Sequence, residues 1–402
     1  MPEKILLARK TNPTSDRLYR MLRDKGYFIL KAGDLPETAR MLGERPDLLL
    51  FDTEMAHEQR PEQWTPMVLR CRDNPLPCLL FSSNGRNPVP VKALTPWVAD
   101  TLMHPIDDRE VQYKIATQLT IHRLQYEANL VQRMLLNKQI ELEEYRHSAA
   151  LIQRALLPEN LPNVQDLEFA WNFLPCDKIG GDLFNISRLT DDTIMIYLLD
   201  VSGHGVSAAM VTVSVFQSLS PTGGRLLKTP TANGERPQCL SPAEVLRQLD
   251  REYPLERFGK FFTITYMLLH TPSGRLQFSS AGHPPPVRIR RNGSYELLTS
   301  GGSIIGAGGS VPFEEGEVTL QYGDRIYLYS DGIIEHCDQQ GDMFGLQRLY
   351  NKLQLQKKRS LTSSCDKTIE YLQSFGQKMP FKDDVTLVAM EYRGGKHASS
   401  LP

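Results

Sequence analysis

Several things are scarce in this chain, and each scarcity removes a class of protein. No apolar run among its 402 residues approaches the ~20 that a membrane-spanning helix needs. The opening Met1-Pro2-Glu3-Lys4-Ile5-Leu6-Leu7 runs directly into a strand-like stretch and lacks the apolar core of a signal peptide. Cysteine is rare and scattered. Cys71, Cys78, Cys176, Cys239, Cys337 and Cys365 form no Cys-x-x-Cys pair, so neither a zinc ribbon nor a disulfide framework is indicated. Excess charge is missing as well. Lys and Arg total 46 against 47 Asp and Glu, a formal net charge of −1. That balance gives no general attraction to nucleic acid or anionic lipid. A hydrophobic content of 41% excludes disorder along the whole length. The expectation is a reduced cytoplasmic protein with buried thiols and neither a nucleic-acid nor a membrane partner. At about 150 residues per domain, the length suggests two or three domains.

What is present divides into three pieces. Residues 1–122 alternate short apolar runs with polar, helix-like stretches. The runs are Ile5-Leu6-Leu7-Ala8, Tyr27-Phe28-Ile29-Leu30, Leu48-Leu49-Leu50-Phe51, Cys78-Leu79-Leu80-Phe81 and Val98-Ala99-Asp100-Thr101-Leu102. Most of these residues are apolar, as in strands buried on both faces. Strand and helix alternating in this way predict an α/β, doubly wound parallel sheet. Sites in such sheets lie beyond the carboxyl ends of the strands, and Asp52 closes the third run.

Glycine and proline are both absent from 107 to 157. One heptad series there is Ile121, Ala128, Leu135, Leu142, Ala149, Leu156. The other is Leu124, Val131, Lys138, Tyr145, Ile152, in which only Lys138 is charged. Gln125, Gln132, Gln139, Glu127, Glu141 and Arg146 flank them. A sustained heptad with a polar surround predicts a helical linker that dimerises over 121–156 as a parallel coiled coil. About 36 residues at 1.5 Å each reach roughly 54 Å, too long for one small domain. The plainer alternative is a single helix packed on its own domains. Pro158 and Pro162 end the helix.

Residues 158–395 show frequent strand-like alternation with helical stretches near 205–219, 241–252, 344–356 and 362–377, an α+β pattern. Residues 220–240 read as a mobile surface loop, and the tail 396–402 as disordered. Four acidic signatures stand out: Gly180-Gly181-Asp182; Asp200-Val201-Ser202-Gly203-His204-Gly205; Ser330-Asp331-Gly332; and Asp383-Asp384-Val385-Thr386. Each aspartate sits at a strand edge beside small residues that let backbone and water approach closely. Hard divalent cations take oxygen ligands, and Mg²⁺ keeps several waters, so a few carboxylates suffice for two ions. No His/Cys cluster selects zinc. Any one signature alone is an ordinary turn aspartate.

Taken in order, these signatures resemble the motifs of the metal-dependent PPM serine/threonine phosphatases, in the bacterial SpoIIE/RsbU branch. Ala281-Gly282-His283-Pro284-Pro285, Glu335, Gly341-Asp342-Met343-Phe344-Gly345 and the lead-in Ala150-Leu151-Ile152-Gln153-Arg154-Ala155-Leu156-Leu157-Pro158 extend the likeness. It covers about 150–392. It implies a β-sandwich flanked by helices and two Mg²⁺ or Mn²⁺ ions held by Asp182, Asp200, Asp331 and Asp383. Asp200 would bridge, and the Val201 carbonyl would complete one shell. Asp384 falls to an outer role, orienting a ligand or an additional metal. His204 is read as a turn or helix-start residue rather than a general acid, and His283 as a structural histidine. Asn185 departs from the branch, which often has an acid there. The resemblance also implies a phosphorylated protein substrate, a STAS-type anti-sigma-factor antagonist in a partner-switching pathway.

Residues 1–122 resemble a two-component receiver, a flavodoxin-like domain, through Pro46-Asp47-Leu48-Leu49-Leu50-Phe51-Asp52. Asp52 stands at the phospho-acceptor position. Receivers carry an acidic pair after the first strand to hold Mg²⁺, and here those places are Arg9 and Lys10. His104 precedes Pro105 where the family has Lys, and Ser82 stands for the usual Thr. The expectation is a degenerate receiver, with a cation beside Asp52 forming a fixed ion pair, that takes an upstream signal and acts by binding a partner or by holding a fixed conformation. A rival from another class is a non-catalytic adaptor binding through the receiver-like domain and coiled coil. The intact aspartate set argues against it. A DNA-binding response regulator is disfavoured by neutral charge and the lack of a helix-turn-helix pattern.

Overall fold

A computed structural model of the chain describes residues 2–394 apart from 57–60, 74, 159–161, 163, 165, 204, 222–225, 228–238 and 310. His204, most of the expected loop at 220–240 and the expected tail at 396–402 therefore lie outside the described residues. The chain forms two compact units, Met1–Ile140 and Glu141–Pro402. Among the described residues no helix is long and apolar enough to cross a membrane.

The first unit contains β1 (Lys4–Ala8), α1 (Pro13–Asp24), β2 (Phe28–Ala32), α2 (Leu35–Met41), β3 (Leu48–Asp52), α3 (Pro61–Asp73), β4 (Cys78–Phe81) and β5 (Val98–Thr101), then enters α4 (Asp108–Leu156). The strands pair in parallel in the order β2-β1-β3-β4-β5. Their side chains alternate between two cores. Ile5, Leu7, Leu48, Leu50, Leu79 and Phe81 meet Leu18 and Leu22 of α1 and Val111, Ile115 and Leu119 of α4. Leu6, Ala8, Leu49, Phe51, Cys78 and Leu80 meet Leu35 and Ala39 of α2 and Met67 and Cys71 of α3. Helices thus cover both faces, which is why the central strands read as unbroken apolar runs.

Along α4 the heptad positions Ile121, Leu124, Val131, Leu135, Leu142, Tyr145 and Ile152 are exposed. Ala149 of the same stripe packs against Ala150, Ile179 and Ala209. At its C-terminal end, Leu156 packs on the core of the second unit.

The second unit continues with β6 (Leu167–Leu174), β7 (Leu183–Arg188), β8 (Thr193–Val201), α5 (Val206–Ser218), α6 (Pro242–Glu252), α7 (Leu255–Phe258), β9 (Phe262–His270) and β10 (Arg275–Ala281). Then come β11 (Val287–Ile289), β12 (Tyr295–Leu297), β13 (Gly301–Gly302), β14 (Gly316–Thr319), β15 (Arg325–Tyr329), α8 (Asp331–Ile334), α9 (Gly345–Leu355), α10 (Leu361–Phe375) and β16 (Val385–Tyr392). One sheet runs β13-β10-β9-β8-β7, with β14 also on β10; the other runs β12-β11-β15-β16-β6. Phe184, Ile196, Leu198 and Met267 of the first sheet face Ile326, Leu328, Val388 and Met390 of the second in a shared core. Helices α5 and α6 cover the outer face of the first sheet, and α9 and α10 that of the second. This is a β-sandwich between two helical layers.

Candidate active site

Four short segments converge where strands of both sheets begin or end. Gly180-Gly181-Asp182 precedes β7, Asp200 and Val201 close β8, Asp331 follows β15, and Asp383-Asp384 precedes β16. Asp384 ties three of these segments together. Its buried carboxylate accepts from the backbone N–H of Cys176 (2.9 Å), Gly181 (2.6 Å) and Asp182 (3.2 Å). Its carbonyl accepts from Ser330 Oγ at 3.0 Å. Glycine is required along these approaches. A Cβ on Gly180 would lie 2.1 Å from Asp384 Oδ2, and one on Gly332 would lie 2.2 Å from the Asp384 carbonyl. A Cβ on Gly181 would come within 2.5 Å of the Val201 carbonyl oxygen and 3.3 Å of Asp200 Oδ1. The Gly-Gly-Asp turn is further held by Gln153 of α4, whose amide donates to Gly180 O (2.8 Å) and accepts from Gly180 N (3.1 Å).

Charge is concentrated here. Burial pushes the Asp182 carboxyl well above the ordinary range, and the charges of Asp200 and Asp384 push it further. Asp200 is raised to about 8, by burial and then by Asp331, Asp383, Asp384 and Glu335. Asp331 is raised to about 6, by burial and then by Asp383 and Glu335. Thr386 Oγ1 donates to Asp182 Oδ2, while the buried Asp182 Oδ1 has no partner. Carboxylates that raise one another, with one buried oxygen left unpaired, form an oxygen donor set that suits hard divalent cations.

Among the described residues, the one His/Cys/Asp/Glu group whose ligand atoms all lie within 4.8 Å of one another is Cys176, Asp383 and Asp384. Asp182, Asp200 and Asp331 do not close to that distance, and ligands of two ions ~3.5–4 Å apart need not do so. Burial and the nearby Asp384, Asp383 and Asp177 push the Cys176 thiol up to about 12. Sequence reasoning missed Cys176 and the contacts of Thr386 and Gln153, because their partners are distant along the chain.

His283 is buried, with Nδ1 2.8 Å from Thr263 Oγ1, and burial drives its pKa down to about 3. It is a neutral, hydrogen-bonded histidine of the turn that follows β10. Asn185 is buried within β7 and accepts from Ser187 Oγ at 3.0 Å.

The end of β3 carries the second candidate, Asp52, which is fully buried. One expectation fails there. Arg9 does not pair with Asp52. The first turn of α1, capped at Asn12, brings Ser15 and Asp16 to Arg9 Nη1 at 2.9 and 2.5 Å. Ser82 Oγ lies within hydrogen-bond distance of Glu54 Oε1 (3.1 Å) and Asn84 Oδ1 (2.8 Å). Ser83 contacts Asp52. Its Oγ donates to Asp52 Oδ2 (2.6 Å) and its N–H to Oδ1 (3.3 Å), beside the N–H of Glu54 (3.1 Å).

Residues 190–393, about half of the chain, match the family model described as Stage II sporulation protein E (SpoIIE). The chain belongs to the SpoIIE family. It is 28% identical to phosphoserine phosphatase RsbP of Bacillus subtilis over 172 residues, covering 42% of this chain and 38% of RsbP. It is 25% identical to phosphoserine phosphatase RsbU of Bacillus subtilis over 152 residues, covering 37% of this chain and 40% of RsbU. The chain spans about two fifths of the length of these curated relatives. Among solved structures, the SiaA-PP2C domain of Pseudomonas aeruginosa superimposes with a TM-score of 0.52 at 22% identity, covering 63% of this chain and 98% of that domain. The sandwich of this SpoIIE-family member is therefore a PP2C-type phosphatase fold.

Proposed function

We propose that this chain is a metal-dependent protein serine/threonine phosphatase. One observation carries the reading. Asp182, Asp200 and Asp331 are raised by burial and by neighbouring carboxylates, and Asp182 Oδ1 is buried without a partner, within a SpoIIE-family sandwich. On this reading Asp182, Asp200, Asp331 and Asp383, with the Val201 carbonyl, would hold two Mg²⁺ or Mn²⁺ ions. Such ions would supply an acidified water as nucleophile and positive charge to offset the phosphate.

The chain's own contribution is to hold these donors in place. Asp384 fixes the Gly181 and Asp182 amides. Thr386 occupies one oxygen of Asp182 and leaves the other for a cation. The bare α-carbon of Gly181 leaves room for Val201 O and Asp200 Oδ1. No covalent phosphoenzyme is needed.

The substrate we infer is a phosphoserine, in keeping with the name phosphoserine phosphatase that RsbP and RsbU carry; that it sits on a STAS-type antagonist in a partner-switching pathway rests on the motif resemblance alone. The first unit is read as a flavodoxin-like pseudo-receiver at residues 1–122. The strand order β2-β1-β3-β4-β5 is that of such folds. Its Asp52 is already held by three donors, so the domain takes its signal from a bound partner rather than a phosphoryl group. Residues 107–157 are the linker, and the exposed stripe at 121–156 is the dimer contact. The phosphatase domain is 158–395.

The test is hydrolysis of p-nitrophenyl phosphate by the purified chain with and without Mn²⁺, beside Asp200→Asn. Activity that needs the metal and disappears in Asp200→Asn supports the proposal. Silence with Mn²⁺ and with Mg²⁺ favours the adaptor reading.

A further inference from the structure

Two divalent ions would still leave the acidic end of the sandwich negative. Asp200 feels the charges of Asp331, Asp383, Asp384 and Glu335, and Asp182 those of Asp200 and Asp384. Fully ionised, these six carboxylates carry six charges against four on two such ions, and a phosphoryl group brings about 1.5–2 more. A phosphate arriving here gains from a further cation, and one stands on the neighbouring strand. β8 and β9 run antiparallel with Asp200 opposite Thr263 and Val201 opposite Phe262. The pairing continues past Val201. The Ser202 N–H donates to Phe261 O at 2.9 Å, and the Phe261 N–H donates to Ser202 Oγ at 3.2 Å. This register sets Lys260 across from Gly203. Lys260 Nζ donates to Ser202 O at 2.8 Å, and a Cβ on Gly203 would lie 3.1 Å from that Nζ. Gly203 has φ +77°, so the turn needs glycine, and its missing side chain leaves the ammonium its place. The same turn faces the Gly-Gly-Asp segment, since a Cβ on Gly181 would lie 3.1 Å from Gly203 O. Lys260 is half-buried and, among the described residues, has no carboxylate partner. An ammonium has three N–H donors, and Ser202 takes one. Lys382, beside Asp383, is exposed and is tied down by no hydrogen bond among the described residues.

We propose that Lys260 is the phosphate-binding cation of this site, holding the dianion of a phosphomonoester and disfavouring a diester, which carries one charge fewer. The hydrogen bond to Ser202 O fixes the ammonium in advance, so little freedom is lost when a phosphate arrives. The two remaining N–H groups suit phosphoryl oxygens, and hydrogen bonds between ionised partners are stronger than neutral ones. The same contact holds inorganic phosphate after hydrolysis. Lys260 makes no covalent bond and moves no proton; it binds and orients.

This role deepens the phosphatase reading and rests on it for its kinetic consequence. Binding of inorganic phosphate at Lys260 needs no turnover and is read separately.

The experiment uses the full chain with Mn²⁺ and compares wild type with Lys260→Gln, Lys260→Met and Lys260→Arg. Each is checked for folding by circular dichroism and for Mn²⁺ uptake by equilibrium dialysis. Three quantities are read. They are kcat and KM for a phosphoserine peptide, the ratio of kcat/KM for p-nitrophenyl phosphate to that for bis(p-nitrophenyl) phosphate, and the Kd of inorganic phosphate by titration calorimetry. Glutamine keeps an N–H donor and loses the charge; methionine loses both. Both variants should weaken phosphate binding and lower kcat/KM on the phosphoserine peptide by about 10–100-fold, with Mn²⁺ uptake unchanged. The diester should lose less, so the monoester-to-diester ratio falls, a change that a merely structural lysine would not cause. Arginine should recover most of the loss. Wild-type phosphate binding in Lys260→Met, an equal loss on both esters, or a loss that follows Mn²⁺ uptake overturns the proposal. A wild-type chain that hydrolyses neither ester overturns the phosphatase reading instead, and the phosphate Kd of wild type against Lys260→Met then decides this contact by itself.

Discussion

Replacing Asp384 by alanine should loosen the Gly-Gly-Asp turn without disturbing the first unit. Asp384 is 2% exposed, and its carboxylate accepts from three backbone N–H groups at 2.9, 2.6 and 3.2 Å. A hydrogen bond to a charged group contributes ~1.5–3 kcal/mol, and a buried donor left without an acceptor costs ~1–3 kcal/mol. The three do not add fully, because water can enter the space and the turn can relax. Removing one charge also relieves Asp182 and Asp200, whose carboxyls Asp384 helps to raise. A net loss on the order of 3–5 kcal/mol remains. The assay is amide hydrogen exchange read by mass spectrometry, with urea unfolding beside it. Peptides covering 175–183 should lose protection in Asp384→Ala, while peptides over β1, β3 and β4 stay unchanged as an internal control. Asp384→Asn, which keeps one acceptor, should fall between. Unchanged exchange at 175–183, or a loss below about 1 kcal/mol, would refute the assignment of Asp384 as the clamp of this turn.

Other expectations follow from the same geometry. Without metal, Asp331 and Asp200 titrate near about 6 and about 8, above the ordinary 3.8. The folded chain keeps protons that the unfolded chain has lost, so this stability is full below about pH 4 and is lost as pH rises through 6 and then 8. Thermal unfolding should show the metal-free second unit weakening from pH 5 to 8.5 and Mn²⁺ flattening that slope; a flat metal-free profile contradicts the carboxylate cluster. Acetyl phosphate with Mg²⁺ should leave Asp52 unmodified by intact mass, since both its oxygens are held and it is fully buried; stoichiometric phosphorylation sinks the pseudo-receiver reading. Leu135→Glu, on a position 66% exposed, should convert a dimer to a monomer in sedimentation equilibrium without loss of helix, and a wild-type monomer at micromolar concentration removes the coiled-coil proposal.

Where local pattern and burial coincide, the sequence is readable. Leu48-Leu49-Leu50-Phe51 is apolar on both faces because helices cover both, and β3 begins and ends within a residue of the expected run. The heptad stripe reads as a helix because nothing in 107–157 breaks it. Strands β6 and β7 were not anticipated. Residues Leu167–Leu174 mix Glu and Asn with aromatics, and their strand character comes from pairing with β16, more than 200 residues later. Asp384 was read as an outer residue orienting a ligand, but the backbone donors it holds were unreadable for the same reason, since they lie 202 to 208 positions away. Arg9 went wrong locally, because a capped helix start put Asp16 within its reach. The contact of Ser83 with Asp52, made by the turn after β4, was not anticipated. The aspartates themselves were legible because each signature sits beside a strand end, where small residues keep the backbone close.

The central claim is that the acidic end of the sandwich is a two-metal phosphoester hydrolase site. Equilibrium dialysis of the full chain against Mn²⁺, with phosphate release from a phosphoserine peptide measured on the same preparation, tests it most directly. The account predicts two Mn²⁺ per chain with metal-dependent release, and loss of both bound metal and release in Asp200→Asn. A wild-type chain that binds no Mn²⁺ and releases no phosphate, or an Asp200→Asn chain that retains both, contradicts it.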